Sequence, residues 1–151
     1  MLDKAQPYHA YIGQRLRTEP IVWLTTAAPG GRPHMVPMWF LWDGRVILLF
    51  SLPNTRKLRH IARNGSVVLA LEAADQGYDI VIVEGRATLI DDPNVTGLMP
   101  GFVERYRTIP RRWPPDKWAQ TFSQPIRVTP TKITAWKTNP NDPPQYALIR
   151  Y

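Results

Sequence analysis

The chain has 151 residues, 44% of them hydrophobic and 21% charged, which suits a single globular domain over 1–151. Lys and Arg number 19 against 12 Asp and Glu, a formal charge of +7 that favours an anionic partner: nucleic acid, a membrane surface or a phosphorylated small molecule. With no cysteine, disulfides, thiolate nucleophiles and Cys-ligated zinc are excluded.

No apolar run approaches the ~20 residues that span a bilayer, and Met1-Leu2-Asp3-Lys4 lacks a basic segment followed by an apolar one. A cytoplasmic protein with no membrane partner is therefore expected. Tyr8 to Arg17 carries Tyr8, Ile12 and Leu16 at i, i+4 and i+8, which predicts a first helix. Ile21 to Thr26 reads as a strand, Pro29-Gly30-Gly31-Arg32 as a turn, and His34 to Trp42 as an extended run. The Asp43-Gly44 pair between apolar segments predicts a hairpin into Val46 to Phe50, completing a three-stranded meander.

The stretch Ser51 to Asn64 is the most informative. A strand end turns into a short basic helix, with Asn54 as its expected cap and Thr55, Arg56 and Lys57 in the first turn. Unpaired backbone N–H groups and the helix dipole favour negative charge there, and a phosphate is the natural guest. Leu58, Ile61 and Ala62 form the face expected to be buried, while Arg56, Arg59 and Arg63 recur on the other.

Ser66 to Glu72 and Tyr78 to Ile90 predict a second hairpin. Asp91-Asp92-Pro93-Asn94 is a helix start, followed by Val95, Leu98, Met99, Phe102, Val103 and Tyr106 at helical spacing, with Pro100 and Gly101 as an interruption. Ile109 to Asp116 is rich in Pro and Arg and is expected to cross the surface, and Lys117 to Phe122 to add a turn of helix. The last strand draws on Ile126, Val128, Ile133, Ala135 and Trp136, with Pro130 requiring an edge or a break. The tail 139–151, with three prolines, is expected to drape over a partner or to be disordered. About six strands in hairpin order with inserted helices imply an α+β, mainly antiparallel fold with a closed or half-closed sheet.

Several chemistries lack support. No G-x-S-x-G elbow frames a serine, no G-x-G-x-x-G turn or Walker loop is present, and His9, His34 and His60 are too scattered to suggest a metal site. The cationic clusters Arg56–Arg63 and Arg105–Arg112 come without a helix-turn-helix, zinc-finger or RNP-type module, so no nucleic-acid partner is expected. What remains is Met35-Val36-Pro37-Met38-Trp39-Phe40, whose Pro37 cannot donate a ladder hydrogen bond and leaves main chain free to meet a heterocycle. Met38 and Trp39 can line its faces. No catalytic acid, base or nucleophile stands out.

The order of the Ile21–Thr26 strand, the Gly-Gly-Arg-Pro turn, Val36-Pro37-Met38-Trp39, the Asp43-Gly44 hairpin, Ser51 to Asn64 and Thr131-Lys132-Ile133-Thr134-Ala135-Trp136 resembles the pyridoxamine 5′-phosphate oxidase-like split β-barrel family. The likeness covers about residues 5–138 and is nearest to its actinobacterial, deazaflavin-dependent branch. It implies a split β-barrel with peripheral helices and a homodimer with two cofactors in clefts between subunits. It also implies that Thr55, Arg56 and Lys57 hold the cofactor phosphate, with Ser51 beside them, while Val36, Pro37, Met38 and Trp39 lie against the ring.

Members of the family use FMN, coenzyme F420 or, in some branches, haem or biliverdin. The Ser51–Asn64 segment and Ile133-Thr134-Ala135-Trp136 look like the F420-dependent group, and Arg59, Arg63, Arg111 and Arg112 are available to a polyglutamate tail. The Thr108–Pro115 segment does not map onto the family pattern. The implied function is an oxidoreductase moving a hydride between the C5 position of reduced F420 and a small reducible organic substrate. The alternatives are an FMN-binding oxidase or reductase and a cofactor-binding protein without turnover.

Overall fold

A computed structural model of the chain describes residues 1–91, 99–106 and 120–151. The helix α1 (Pro7–Thr18) leads into β1 (Val22–Ala27), β2 (Pro33–Met38), β3 (Phe40–Trp42) and β4 (Ile47–Ser51). Then follow α2 (Arg56–Arg63), β5 (Ser66–Leu71), β6 (Asp79–Leu89), α3 (Met99–Arg105), β7 (Gln124–Asn139) and β8 (Asp142–Arg150). Neighbouring strands pair antiparallel in the order β2-β1-β5-β6-β7-β4-β3, with β8 added beside β7, in one eight-stranded sheet. β2 and β3 stand at opposite ends of that order, yet only Trp39 separates them in the chain. The sheet must therefore curl until its two ends meet, and the fold is a split β-barrel of the α+β class.

This topology corrects the expected three-stranded meander. The run His34–Trp42 breaks at Trp39, so β2 pairs β1 at one end of the sheet and β3 pairs β4 at the other. The turns were legible: Gly30 and Gly31 take φ of 82° and 83°, and the Asp43 carboxylate accepts the Arg45 and Val46 amides at 2.7 Å in the hairpin loop. β7 is no edge strand, since it pairs β6 along one side and β4 and then β8 along the other. Pro130 lies where those partners change. Opposite it the register slips, with Gly85 facing Pro130 and Glu84 facing Lys132. A Cβ on Gly85 would come within 2.6 Å of the Thr129 carbonyl oxygen, so only glycine permits this approach.

The tail expected to drape or be disordered instead forms β8 on β7. Its prolines are confined to the turn and the first residues of the strand, while Ala147 and Ile149 alternate inward and join the core. Pro100 and Gly101, the expected interruption, both lie within α3, Pro100 in its first turn, where a missing N–H costs little, and the residues just before Met99 lie outside the described ones. The proposed helix start at 92–94, with Val95 and Leu98, lies outside the described residues. So does the Thr108–Pro115 segment, and all of 117–122 except Gln120 to Phe122.

The interior is filled by alternating residues of the strands, among them Leu24, Leu49, Leu69, Val83, Val128 and Ile133, with Ile12 and Leu16 of α1 and Leu58 and Ile61 of α2 packed against them. β4 is buried on both faces. Its continuous apolar run Ile47-Leu48-Leu49-Phe50 sends Ile47 and Leu49 into the barrel, while Leu48 and Phe50 join a second cluster with Phe102 and Tyr106. α1 is tied down by charge as well: Arg15 and Asp79, 4% and 1% exposed, meet at 2.8 Å. The same guanidinium also reaches Glu19 and the Glu72 carbonyl.

Candidate functional site

β4 delivers Ser51 to the barrel rim, where its hydroxyl lies 3.2 Å from that of Thr55 and donates to the Leu52 carbonyl. The connecting loop turns on Asn54, whose φ of 60° is left-handed. Thr55, rather than Asn54, is the residue that caps α2, and its side chain makes no capping hydrogen bond to the helix's first amides. Asn54 cannot be the cap because its left-handed backbone reverses the chain one residue before the helix begins. The amides of the first turn, where Arg56 and Lys57 stand, are consequently available to an anion.

Beside this helix start is a cavity of about 370 Å³ lined by Ile21, Val36, Pro37, Met38, Trp39, Phe50, Ser51, Leu52, Lys57 and Phe122. Six of the eight residues named from the sequence line it: Val36, Pro37, Met38, Trp39, Ser51 and Lys57. Thr55 is coupled to it through Ser51, and Arg56 is exposed outside its lining. Met35, 58% exposed, is not part of the lining. Lys57 is half-buried, and burial pushes its ammonium below the usual lysine value. Among the described residues neither Lys57 nor Arg56 has a carboxylate partner. β2 is at one end of the sheet order, so Pro37 interrupts no interior ladder.

The match to the model of the pyridoxamine 5′-phosphate oxidase family runs over residues 10–137. The chain belongs to this family. No curated protein matches it. Among solved structures, one described as an F420 reductase is 28% identical, covers 80% of this chain and 94% of its own, and superposes with a TM-score of 0.62. A conserved hypothetical protein from Mycobacterium tuberculosis is 24% identical, with 85% and 83% covered and a TM-score of 0.70. An FAD-binding protein from Mesorhizobium loti is 18% identical, with 83% and 90% covered and a TM-score of 0.65. The last two share the fold.

Within this oxidase-like barrel the burial of α2 differs from the expected face. Ala62 is exposed, and His60, 6% exposed, packs inward instead. Its Nδ1 lies 3.0 Å from the Thr26 hydroxyl and its ring meets His34 edge-on at 5.7 Å. Burial, followed by His34, Arg56, Arg59 and Arg32, holds His60 below the usual histidine value and so neutral. Arg59 turns back to the Asn54 carbonyl at 2.9 Å. Arg59 and Arg63 are exposed, while Arg111 and Arg112, also offered for a polyglutamate tail, lie outside the described residues.

Sequence reasoning missed Ile21, Phe50, Leu52 and Phe122 as lining residues. Phe50 was foreseeable as the apolar neighbour of Ser51, whereas Ile21 and Phe122 arrive from distant parts of the chain and carry no local signal.

Proposed function

We propose that the chain is an F420-dependent oxidoreductase whose cofactor ring enters the cavity and whose phosphate meets the start of α2. The observation that carries this reading is a cavity with eight apolar residues in its lining and one cation, Lys57, contributed by a helix N-terminus. That combination suits a ligand with a planar apolar end and an anionic end. The family supports an oxidoreductase, and the 28%-identical F420 reductase supports the deazaflavin over other flavins. When bound, the reduced cofactor supplies a hydride for a small reducible organic substrate.

The protein's own part is binding and exclusion. Val36, Pro37, Met38 and Trp39 flank the ring and keep water from it, Ser51 holds Thr55 at the helix cap, and Lys57, with Arg56 outside it, neutralises the phosphate. Such a site requires no acid, base or nucleophile of the protein. The family match itself favours a second reading, an FMN-dependent oxidase or reductase.

We infer a cytoplasmic homodimer as the working unit. Outward residues of adjacent strands form an apolar band through Trp23, Ala70 and Ile82, with Val68 two residues along β5 and Leu148 across Thr134 of β7, at 40% and 38% exposed. Isologous pairing of such a band between two copies is the simplest way to cover it. Light scattering at micromolar concentration tests this, and a monomer with and without cofactor would refute it. The cofactor is tested by titrating F420 and FMN separately while following tryptophan fluorescence. Micromolar or tighter binding of F420 with weaker FMN is expected; the reverse moves the protein to the second reading, and binding of neither refutes both.

A further inference from the structure

We propose that Tyr106 is a positioning residue of the ring site, setting the plane of Trp39 and locking the seam at which the barrel closes. This rests on the cofactor reading above. Tyr106, the residue after α3, is 5% exposed, and its ring stacks on Trp39 with centroids 4.7 Å apart and planes 8° apart. Trp39 is the single residue between β2 and β3 and lines the cavity. Trp39 is thus both the main-chain joint between the two ends of the sheet and part of the cavity wall, and one face of its indole is held by the phenol ring.

The Tyr106 hydroxyl holds the adjacent main chain. It accepts the Phe40 amide at 2.9 Å and lies 2.8 Å from the Phe40 carbonyl and 2.9 Å from the Pro20 carbonyl. With one proton, it donates to these two carbonyls as a shared contact. Pro20 precedes Ile21, a residue of the cavity, so a single hydroxyl bridges two segments that enter the lining. Burial raises the phenol above the usual tyrosine value, keeping the donor protonated. Arg105 adds to the anchor, with its guanidinium 4.7 Å from the Phe40 ring centroid and a hydrogen bond to the Glu19 carbonyl. α3 thereby reaches the cavity without lining it.

The experiment compares the parent with Tyr106→Leu, which removes stack and hydroxyl, Tyr106→Phe, which keeps the stack, and Lys57→Ala. F420 and FMN are the probes, read by affinity and by the visible absorption band of the bound ring. The leucine variant is expected to bind roughly tenfold more weakly, the scale of a lost aromatic stack with its wall, and to shift the band. The phenylalanine variant is expected to move the band in the same direction by less. Lys57→Ala should weaken binding and leave the band in place. Circular dichroism checks folding, and if the leucine variant does not fold, the phenylalanine variant decides alone. Folded Tyr106 variants with the parent's affinity and band would overturn the positioning role while leaving the cofactor reading intact; a parent that binds neither probe would refute that reading itself.

Discussion

Arg15 and Lys57 are both cations withdrawn from full solvent, and the protein treats them in opposite ways. Arg15 is saturated: Asp79, Glu19 and the Glu72 carbonyl surround its guanidinium, and the Tyr11 hydroxyl completes the shell of Asp79. Lys57 has no carboxylate among the described residues, although burial penalises its charge. A cation paid off within the chain ties elements together, whereas one left uncompensated beside a cavity is available for an anion from outside. On the proposed function the contrast separates structural from functional charge in a protein whose sequence shows only an excess of cations.

The sharpest way to break the comparison is Asp79→Asn. It strands a buried guanidinium, and removing one partner of such a pair costs about 3–5 kcal/mol, with Glu19 drawing the outcome toward the lower figure. Urea denaturation should show the loss, while cofactor affinity per folded molecule stays at the parent value. Unchanged stability would mean that the Arg15 network does not hold α1.

Lys57→Ala should do the converse. Loss of a charge-assisted contact to phosphate is worth about 1.5–3 kcal/mol of binding, and stability should hold or rise because a desolvated charge is gone. Arg56→Ala, on the exposed side, should cost less, about 0–1 kcal/mol. If the double variant binds cofactor as the parent does, the anion site is refuted and α2 is a solvated basic face.

The two regions should also fail at opposite ends of the pH scale. Near Arg15, Tyr8 and Tyr11 are pushed up to about 12 from 10.0, first by burial and then by Asp79, through charge for Tyr8 and a hydrogen bond for Tyr11. The folded state therefore holds their protons more tightly than the unfolded chain. Their stabilising contribution is full below pH 10 and is lost as pH rises toward 12. Tyr11→Phe should flatten that alkaline limb.

Under α2 the sign reverses. His60 is depressed below its usual 6.5, the unfolded chain takes up the proton more readily, and stability present above pH 6.5 falls as the pH drops below it. A His60→Gln variant should lack this acid limb in urea titrations at pH 5 to 7; an unchanged limb would assign it elsewhere.

The smallest effect concerns the rim. Exposed Arg59 and Arg63 can offer a polyglutamate tail only screened pairs, each worth about 0–1 kcal/mol. Longer F420 tails should gain affinity at low ionic strength and lose most of the gain at high salt, while the Lys57 contribution persists. Equal affinity for all tail lengths at low salt removes the case for these arginines.

Local patterns made much of the molecule legible. The Asp43-Gly44 turn, the hairpin of β5 and β6, and the strand-to-helix passage at Ser51–Lys57 follow from turn chemistry and apolar spacing, and six of the eight named site residues line one cavity. The cap was misassigned because Asn54 and Thr55 both suit the position, and only the left-handed φ of Asn54 decides between them. The tail departs from its expected disorder because the alternation of Ala147 and Ile149, which outweighs its prolines, acquires meaning only with β7 beside it.

The sequence by itself determined most of the elements, the fold family and the basic residues at the start of α2, because those depend on periodicity, turn residues and neighbours within a few positions. Tertiary structure alone decided that the run through Trp39 divides between the two ends of the sheet, that Tyr106 stacks on it from 67 positions later, and that Arg15 finds Asp79 while Lys57 finds no carboxylate among the described residues. Each is a contact between distant parts of the chain, set by barrel closure, and no local pattern encodes which distant residue will close it.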